Sequence, residues 1–174
     1  MMNSPGLIVV TGRPGSGKTT LARALAQSIR CPAILRDELK EGLLNTAGPT
    51  DEDVAGAVCQ TFFDTIELLL SRRITLIAEA AFQHKLWAPR LEPLRGSAHI
   101  RIIICTIPPD LAAARREERH RADPDREKFH PPVVGQEYDP PHLDVPTLSV
   151  DTSAGYEPKL ESIAAFARRG LREA

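Results

Sequence analysis

Eight consecutive residues near the start of this 174-residue chain could carry out recognisable chemistry. Gly12-Arg13-Pro14-Gly15-Ser16-Gly17-Lys18-Thr19 has the spacing G-x-x-x-x-G-K-[S/T]. The glycines let successive backbone N–H groups turn inward, the lysine adds a positive charge, and the threonine hydroxyl can bind a divalent cation. These donors suit the crowded oxygens of a nucleoside triphosphate. The segment therefore predicts a phosphate-binding loop, or P-loop.

The residues on either side of this loop supply the elements that must position it. Residues 7–11 are a continuous apolar run, typical of a strand buried on both faces of a parallel sheet, and apolar residues then recur at helical spacing through residue 30. The helix would direct its positive N-terminal end at the phosphates. We therefore predict that residues 12–20, including Thr20, bind ATP. Lys18 would bridge the β- and γ-phosphates, and the Thr19 hydroxyl would bind Mg²⁺.

The rest of the chain alternates between short apolar runs and amphipathic stretches. Further strands are predicted at residues 32–35, 74–78, 100–105 and 147–151. Helices are predicted at residues 36–45, 54–70, 86–94, 110–121 and 160–171, the third of them weak because Pro89 and Pro93 interrupt it. Such alternation indicates a parallel α/β sheet with right-handed crossovers, built as one domain over residues 1–174.

The bulk composition narrows the classes of partner. The chain has a formal net charge of -1 and 5% aromatic residues, so nothing demands a nucleic-acid or membrane partner. We find no apolar run of 18 residues and no signal-like start, and we expect a cytoplasmic protein. Cys31, Cys59 and Cys105 are far apart and are expected to be reduced core residues. The sequence leaves the oligomeric state undetermined.

Two carboxylates follow predicted strands and are candidates for the chemistry. Asp37 comes just after the second strand, where it could approach the γ-phosphate from the acceptor side; it could instead cap the following helix. Glu79 ends the third strand, where large ATPases usually carry an aspartate, and that aspartate is missing here. Glu79 could hold Mg²⁺ through water, bind the acceptor, or simply be solvated. The N-K-x-D pattern of GTPases does not occur in the sequence.

Several of these features combine into a resemblance to a known group of enzymes. In four features the chain resembles small P-loop kinases of the AAA type. These are the run G-x-P-G-S-G-K-T, the triplet R-D-E at residues 36–38, an apolar strand, and Pro108 followed by Arg115 and Arg119. The nearest kinds are polynucleotide kinase and chloramphenicol phosphotransferase, with shikimate, gluconate and zeta-toxin kinases more distant. The resemblance implies a P-loop NTPase fold, with five parallel strands in the order 2-3-1-4-5 between helices. It also implies a lid at about residues 115–145.

The resemblance also implies roles for individual residues. In such kinases the aspartate after the second strand accepts the proton of the substrate hydroxyl or orients that hydroxyl, a role that falls on Asp37 here, with Mg²⁺ binding a further possibility. One lid arginine covers the adenine and a later one contacts the transferring phosphate. These would be Arg115 and Arg119, with Arg121 an alternative for the phosphate or substrate. The loop Thr152-Ser153 would border the adenine through backbone groups. The alternative for the arginines is an exposed helix in which Arg and Glu interleave.

These observations lead to one function and two alternatives. We expect transfer of the γ-phosphoryl group of ATP to a hydroxyl of a small molecule, with Asp37, Lys18 and Arg119 catalytic and Glu79 binding substrate. A polynucleotide end is an alternative acceptor, although a single strand would favour a more basic, more aromatic channel. A non-catalytic ATP-binding regulator is the other alternative. The reactive Asp37 and the arginine-rich lid argue against it.

Overall fold

A parallel five-stranded sheet with helices on both faces forms the framework of the chain. The computed structural model describes residues 4–47, 53–125 and 137–171. The strands are ordered β2-β3-β1-β4-β5, which confirms the expected order. They are β1 (Gly6–Gly12), β2 (Ala33–Leu35), β3 (Leu76–Glu79), β4 (His99–Thr106) and β5 (Thr147–Asp151). The helices are α1 (Lys18–Ile29), α2 (Arg36–Ala47), α3 (Val54–Ser71), α4 (His84–Leu91), α5 (Pro109–Ala122) and α6 (Leu160–Arg168).

The central strand explains why the sequence shows an unbroken apolar run there. Strand β1 pairs in parallel with β3 on one side and with β4 on the other. Its alternate residues point to opposite faces: Leu7 and Val9 enter the core beside α3 and α4, and Ile8 and Val10 enter the core beside α1 and α6. Both faces are therefore buried, so no polar residue can alternate with the apolar ones.

Strand β3 starts two residues later than the sequence predicts, because the preceding helix ends in a Schellman motif. Arg73 has a left-handed backbone (φ 60°), its N–H donates to the carbonyl of Leu70, and the Ile74 N–H donates to the carbonyl of Leu69. Ile74 thus completes the end of α3 and is partly exposed. The strand then runs on through Glu79, which makes this carboxylate its last residue.

Smaller differences concern the helices. Helix α2 extends to Ala47 rather than ending near residue 45. The weakly helical region is α4, with Pro89 inside it, followed by a 3-10 turn at Glu92–Gly96. Trp87 in α4 is fully buried, as expected for a core residue.

Helix α3 is the one helix of the described residues whose length and composition could match a membrane span, with a mean hydropathy of 1.3 over Val54–Ser71. This differs from the expectation that no such run exists. Its buried face, which includes Val58, Phe62, Ile66 and Leu70, packs within this domain.

The three cysteines are free thiols, and burial raises the pKa of Cys105 to about 12.

Candidate active site

The glycine-rich loop between β1 and α1 has a backbone that only glycine adopts without strain. Gly15 has φ 88° and Gly17, which precedes the first residue of α1, has φ 74°. A side chain at Gly15 would also place its Cβ 2.4 Å from the carbonyl oxygen of Ala112 in α5. The loop therefore packs directly against the backbone of the arginine-rich helix.

A pocket of about 310 Å³ opens between this loop and α5. The structure brings many of the predicted ATP-binding residues together around it, together with the predicted phosphate contact Arg119. The lining residues are Gly15, Gly17, Lys18, Thr19, Thr20, Arg115, Glu118, Arg119 and Ala122. Gly12, Arg13, Pro14 and Ser16 belong to the same loop but do not line the pocket. Ser16 is fully buried, and its hydroxyl has no hydrogen-bond partner among the described residues.

Glu79 lies beside the reactive side chains of the loop. Strand β3 neighbours β1, with Glu79 in register with Val10, so the two strands end at the same edge. The Thr19 hydroxyl donates to Glu79 Oε2 at 3.1 Å, and Lys18 Nζ lies 3.8 Å from Glu79 Oε1. Glu79 is 1% exposed, and burial raises its pKa, with nearby Asp37 adding to the rise while Lys18 and Thr19 oppose it.

This arrangement fits a magnesium ion. The Thr19 hydroxyl, which lines the pocket, and the adjacent Glu79 carboxylate are hard oxygen ligands of the type that Mg²⁺ prefers when it also binds phosphate oxygens. Glu79 therefore occupies the strand-end position where large ATPases usually carry an aspartate. The predicted strand order indicates this placement, because a strand next to β1 brings its last residue close to the P-loop.

Asp37 lies in the first turn of α2, one residue after the helix begins. Its carboxylate accepts a hydrogen bond from Arg36 Nη1 at 3.1 Å and is partly exposed, with 38% of its side chain accessible. It is close enough to Glu79 to raise the pKa of that carboxyl. The two candidate carboxylates thus share one end of the sheet, as parallel strands require.

The three candidate lid arginines have different surroundings. Arg115 lines the pocket, but its Nη2 donates to the carbonyl oxygens of Thr152 and Ser153, each at 2.9 Å. Arg119 lines the pocket. Arg121 does not line it; this side chain is exposed and pairs with Glu117 at 2.6 Å. The structure therefore brings Arg115 and Arg119, but not Arg121, to the loop.

The loop after β5 supports the P-loop through a side chain as well as through its backbone. The Thr152 hydroxyl is buried and donates to the carbonyl of Ser16 at 2.8 Å, and the Thr152 N–H donates to the carbonyl of Thr106 at 3.0 Å. The family resemblance predicts only that this loop borders the adenine. The hydrogen bond from Thr152 to the P-loop was not predicted, because its two residues lie 136 positions apart and no short sequence pattern indicates it.

A second set of contacts that the sequence does not predict lies just before the P-loop. Thr11, at the end of β1, forms hydrogen bonds with Tyr138 and Trp87. Tyr138 belongs to residues 137–145, which we call the closing segment because they complete the predicted lid. The middle of that lid, residues 126–136, lies outside the described part of the chain.

Comparisons with known proteins agree with this geometry. A family profile described as an AAA domain matches residues 7–136. The yeast ribosome biogenesis ATPase RIX7, from Saccharomyces cerevisiae, is 31% identical over 87 residues, which cover 46% of this chain and 10% of that protein. This chain thus spans about a tenth of the length of that curated relative.

Several solved structures share the fold over nearly the whole chain. A presumed kinase from Chloroflexus aurantiacus has a TM-score of 0.82 and 26% identity, covering 97% of this chain and 100% of that one. The Mycobacterium tuberculosis APS kinase CysC, solved with AMPPNP and APS, has a TM-score of 0.68 and 14% identity, covering 95% and 98%. A gluconokinase from Sinorhizobium meliloti has a TM-score of 0.59 and 21% identity, covering 98% and 93%.

Each of these neighbours is named as a kinase, and together they show that this chain has their fold. The family profile covers most of the sequence, from β1 through the whole of α5. With the strand order and the loop geometry, it shows that the chain belongs to the AAA domain family and has the fold of the small P-loop kinases.

Proposed function

We propose that this chain transfers the γ-phosphoryl group of ATP to a hydroxyl group of a small molecule. One observation carries the proposal: the P-loop residues Lys18 and Thr19 meet the buried carboxylate of Glu79 beside a pocket that Arg119 also lines. A site that only bound nucleotide would have no need of a second carboxylate, Asp37, at the same edge of the sheet. The structural likeness to small-molecule kinases supports the same conclusion.

The loop residues would hold the triphosphate. The inward N–H groups of the loop and the N-terminal end of α1 attract the phosphates, and Lys18 donates to the β- and γ-phosphate oxygens. Thr19 and Glu79 would hold Mg²⁺, which when bound offsets the charge of the phosphate oxygens. Glu79 also attracts the Lys18 ammonium group, whose Nζ lies 3.8 Å from Glu79 Oε1.

Asp37 would act on the acceptor. It would accept a hydrogen bond from the acceptor hydroxyl, hold that oxygen in line with the γ-phosphorus, and take its proton as the new P–O bond forms. The bond between the γ-phosphorus and the oxygen bridging it to the β-phosphorus breaks at the same time, and ADP leaves. Arg119 would donate to the γ-phosphate oxygens and stabilise the charge on them.

The acceptor class follows from charge and composition. The chain has 22 basic and 23 acidic residues and 5% aromatic residues. A channel for single-stranded nucleic acid favours a basic groove with stacking aromatic side chains. The aromatic residues Phe62, Phe63, Phe82 and Trp87 pack against one another instead, each of them buried. We therefore favour a small hydroxyl compound over a polynucleotide end.

The test is transfer of label from [γ-³²P]ATP to a panel of sugars, sugar acids, nucleosides, aminoglycosides and oligonucleotides with a free 5′-hydroxyl. We expect label on at least one small hydroxyl compound, and none with Lys18→Ala. Label on oligonucleotides alone would contradict the proposed acceptor class. Tight ATP binding without transfer to any compound, and without ADP release, would support the regulator alternative instead.

A further inference from the structure

The hydroxyl of Thr11 is the centre of a buried hydrogen-bond network at the start of the P-loop. Thr11 is fully buried, and its hydroxyl donates to the carbonyl of Ala80 at 2.7 Å. Ala80 directly follows Glu79. Since the single hydroxyl hydrogen of Thr11 is used in this bond, its oxygen must act as the acceptor for its other partners.

Two donors fill this acceptor position. The Tyr138 hydroxyl lies 2.5 Å from Thr11 Oγ1, and the indole N–H of Trp87 donates to the same oxygen at 3.3 Å. Burial raises the pKa of Tyr138 to about 12, although hydrogen bonds with Thr11 and the Gly12 backbone lower it. The phenol is therefore neutral near pH 7 and keeps the proton that it donates to Thr11.

The closing segment is hydrogen-bonded to Gln83, in the loop after β3, and to His84, the first residue of α4. The N–H of His84 donates to the carbonyl of Asp139 at 2.8 Å, and the N–H of Asp139 donates to Gln83 Oε1 at 2.6 Å. Further along, the N–H of His142 donates to His84 Nδ1 at 3.2 Å, and the two imidazole rings stack with their centroids 3.4 Å apart. On the other side of Tyr138, Gln83 Nε2 donates to the carbonyl of Glu137 at 3.2 Å, so the segment is held both before and after this tyrosine.

We propose that Tyr138 is a positioning residue of the phosphotransfer site. Its hydroxyl joins the closing segment to the start of the phosphate-binding loop and, through Thr11, to the backbone that follows Glu79. In this role Tyr138 would contact neither the nucleotide nor the metal, but would keep in register the ends of β1 and β3, next to the residues proposed to bind them. This inference rests on the proposed function, because it assigns Tyr138 a part in that same site.

The reason why Tyr138 would affect the phosphate-binding site is geometric. Strands β1 and β3 must end at matching heights for the Glu79 carboxylate to reach the Thr19 hydroxyl at 3.1 Å. Val10 and Glu79 are the last residues paired between β1 and β3. The next backbone hydrogen bond, from the Ala80 N–H to the Val10 carbonyl, is already 3.3 Å long. The bond from Thr11 to Ala80 continues the connection with side-chain chemistry, and Tyr138 determines the direction in which the Thr11 hydroxyl points.

The experiment compares Tyr138→Phe with Tyr156→Phe, which removes the hydroxyl of the other tyrosine in the chain. Binding of AMPPNP with Mg²⁺ is measured by calorimetry, and thermal unfolding is measured alongside. Loss of one buried hydrogen bond predicts that Tyr138→Phe weakens binding by about fivefold to tenfold. Tyr156→Phe should stay within about twofold of the original protein.

Substitutions at Thr11 supply the rescue that separates positioning from general damage. Thr11→Ser keeps the hydroxyl and should bind AMPPNP within about twofold of the original, whereas Thr11→Val should lose as much affinity as Tyr138→Phe. The double variant Tyr138→Phe/Thr11→Val should bind no more weakly than either single variant, because both break the same connection.

Trp87 is the sole tryptophan and belongs to the network, so its emission reports on the network without any activity measurement. AMPPNP should change this emission in the original protein, and by less in Tyr138→Phe.

Three outcomes would overturn the inference. They are unchanged AMPPNP affinity in Tyr138→Phe, additive losses in the double variant, or an equal loss of affinity in Tyr156→Phe. In each of these the original protein still binds the nucleotide, so the proposed function would stand. Failure of the original protein to bind AMPPNP would overturn both the inference and the proposed function.

Discussion

The hydroxyl of Thr19 and the carboxylate of Glu79 are joined by a hydrogen bond of 3.1 Å, although 60 residues separate them in the sequence. Thr19 is the second residue of α1, directly after Lys18 of the P-loop, and Glu79 is the last residue of the neighbouring strand β3. Their meeting depends on the placement of β3 beside β1, which puts the ends of the two parallel strands at the same edge of the sheet. A hydroxyl and a carboxylate are thereby held together at the site that we propose for a triphosphate and its metal.

The burial of Glu79 should make the stability of the protein depend on pH. Because the pKa of Glu79 is raised in the folded chain, the proton binds more tightly to the folded state than to the unfolded state. The resulting stabilisation is present below the ordinary glutamate pKa of 4.5 and is lost as the pH rises through the raised pKa. Glu79→Gln removes this dependence. Without nucleotide or Mg²⁺, its Tm relative to the original protein should be higher at pH 8 than at pH 5.

The control for this comparison is Glu67→Gln, which removes an exposed carboxylate from α3. Its Tm relative to the original protein should change little between the two pH values. A Glu79→Gln difference that is constant, or that increases toward acid pH, would show that burial does not determine the pKa of this carboxyl.

The role proposed for Asp37 separates catalysis from nucleotide binding. Asp37→Asn keeps the size of the side chain but cannot accept the hydroxyl proton, so kcat should fall by about 10²–10⁴-fold. AMPPNP affinity should stay within about threefold, because Asp37 acts on the acceptor and not on the triphosphate. Steady-state release of ADP in the presence of an accepted substrate measures the first quantity, and calorimetry measures the second.

The neighbouring Glu38 offers a matched control for Asp37. It is exposed and pairs with Arg23 on α1, so Glu38→Gln changes the local charge equally but leaves the candidate base in place. Its kcat should remain within about twofold of the original. Equal kcat values for Asp37→Asn and the original protein would eliminate Asp37 as the base.

Gly15 should be far less tolerant of a side chain than a glycine in a helix. Gly15→Ala combines a left-handed backbone with a Cβ 2.4 Å from the Ala112 carbonyl, and it should reduce the free energy of unfolding by about 1–3 kcal/mol. It should also weaken AMPPNP binding, because the loop must move away from α5. Gly42→Ala is the matched control. Gly42 lies within α2, and apart from its chain neighbours and the backbone of its own helix no atom is within 4 Å of its added Cβ, so alanine there should stabilise the protein by about 0.5–1 kcal/mol.

Chemical denaturation of the two glycine variants measures these free energies. The opposite signs distinguish a position that requires glycine from one that merely contains it. A Gly15→Ala protein as stable as Gly42→Ala would mean that the loop does not pack against α5 as described.

The sequence was most informative where local pattern and chemistry coincide. The apolar run before Gly12 and the helical spacing after Thr19 predict β1, the loop and α1, because burial on both faces excludes polar residues from such a strand. Strand β3 was placed too early, since its first apolar residue, Ile74, completes the Schellman motif of α3. An apolar side chain alone does not tell a helix end from a strand start.

The contacts that complete the site arise from topology and were harder to predict. Glu79 could be identified as a strand-end carboxylate, but its hydrogen bond with Thr19 depends on which strand is adjacent to β1. Arg115 was expected to cover the adenine on the strength of a family resemblance, and in the structure it donates to two backbone carbonyls of the following loop. Tyr138 lies 127 residues from Thr11, and no local pattern predicts this hydrogen bond.

Nucleotide binding by the loop is the claim on which the proposed function and the role of Tyr138 both depend. Calorimetric titration of AMPPNP with Mg²⁺ into the original protein and into Lys18→Ala tests it most directly. We predict binding of one nucleotide per chain, and a loss of affinity of at least about 30-fold in Lys18→Ala, because a charge-assisted contact to phosphate is worth roughly 2 kcal/mol or more. No binding by the original protein, or equal binding by the two proteins, would contradict the account.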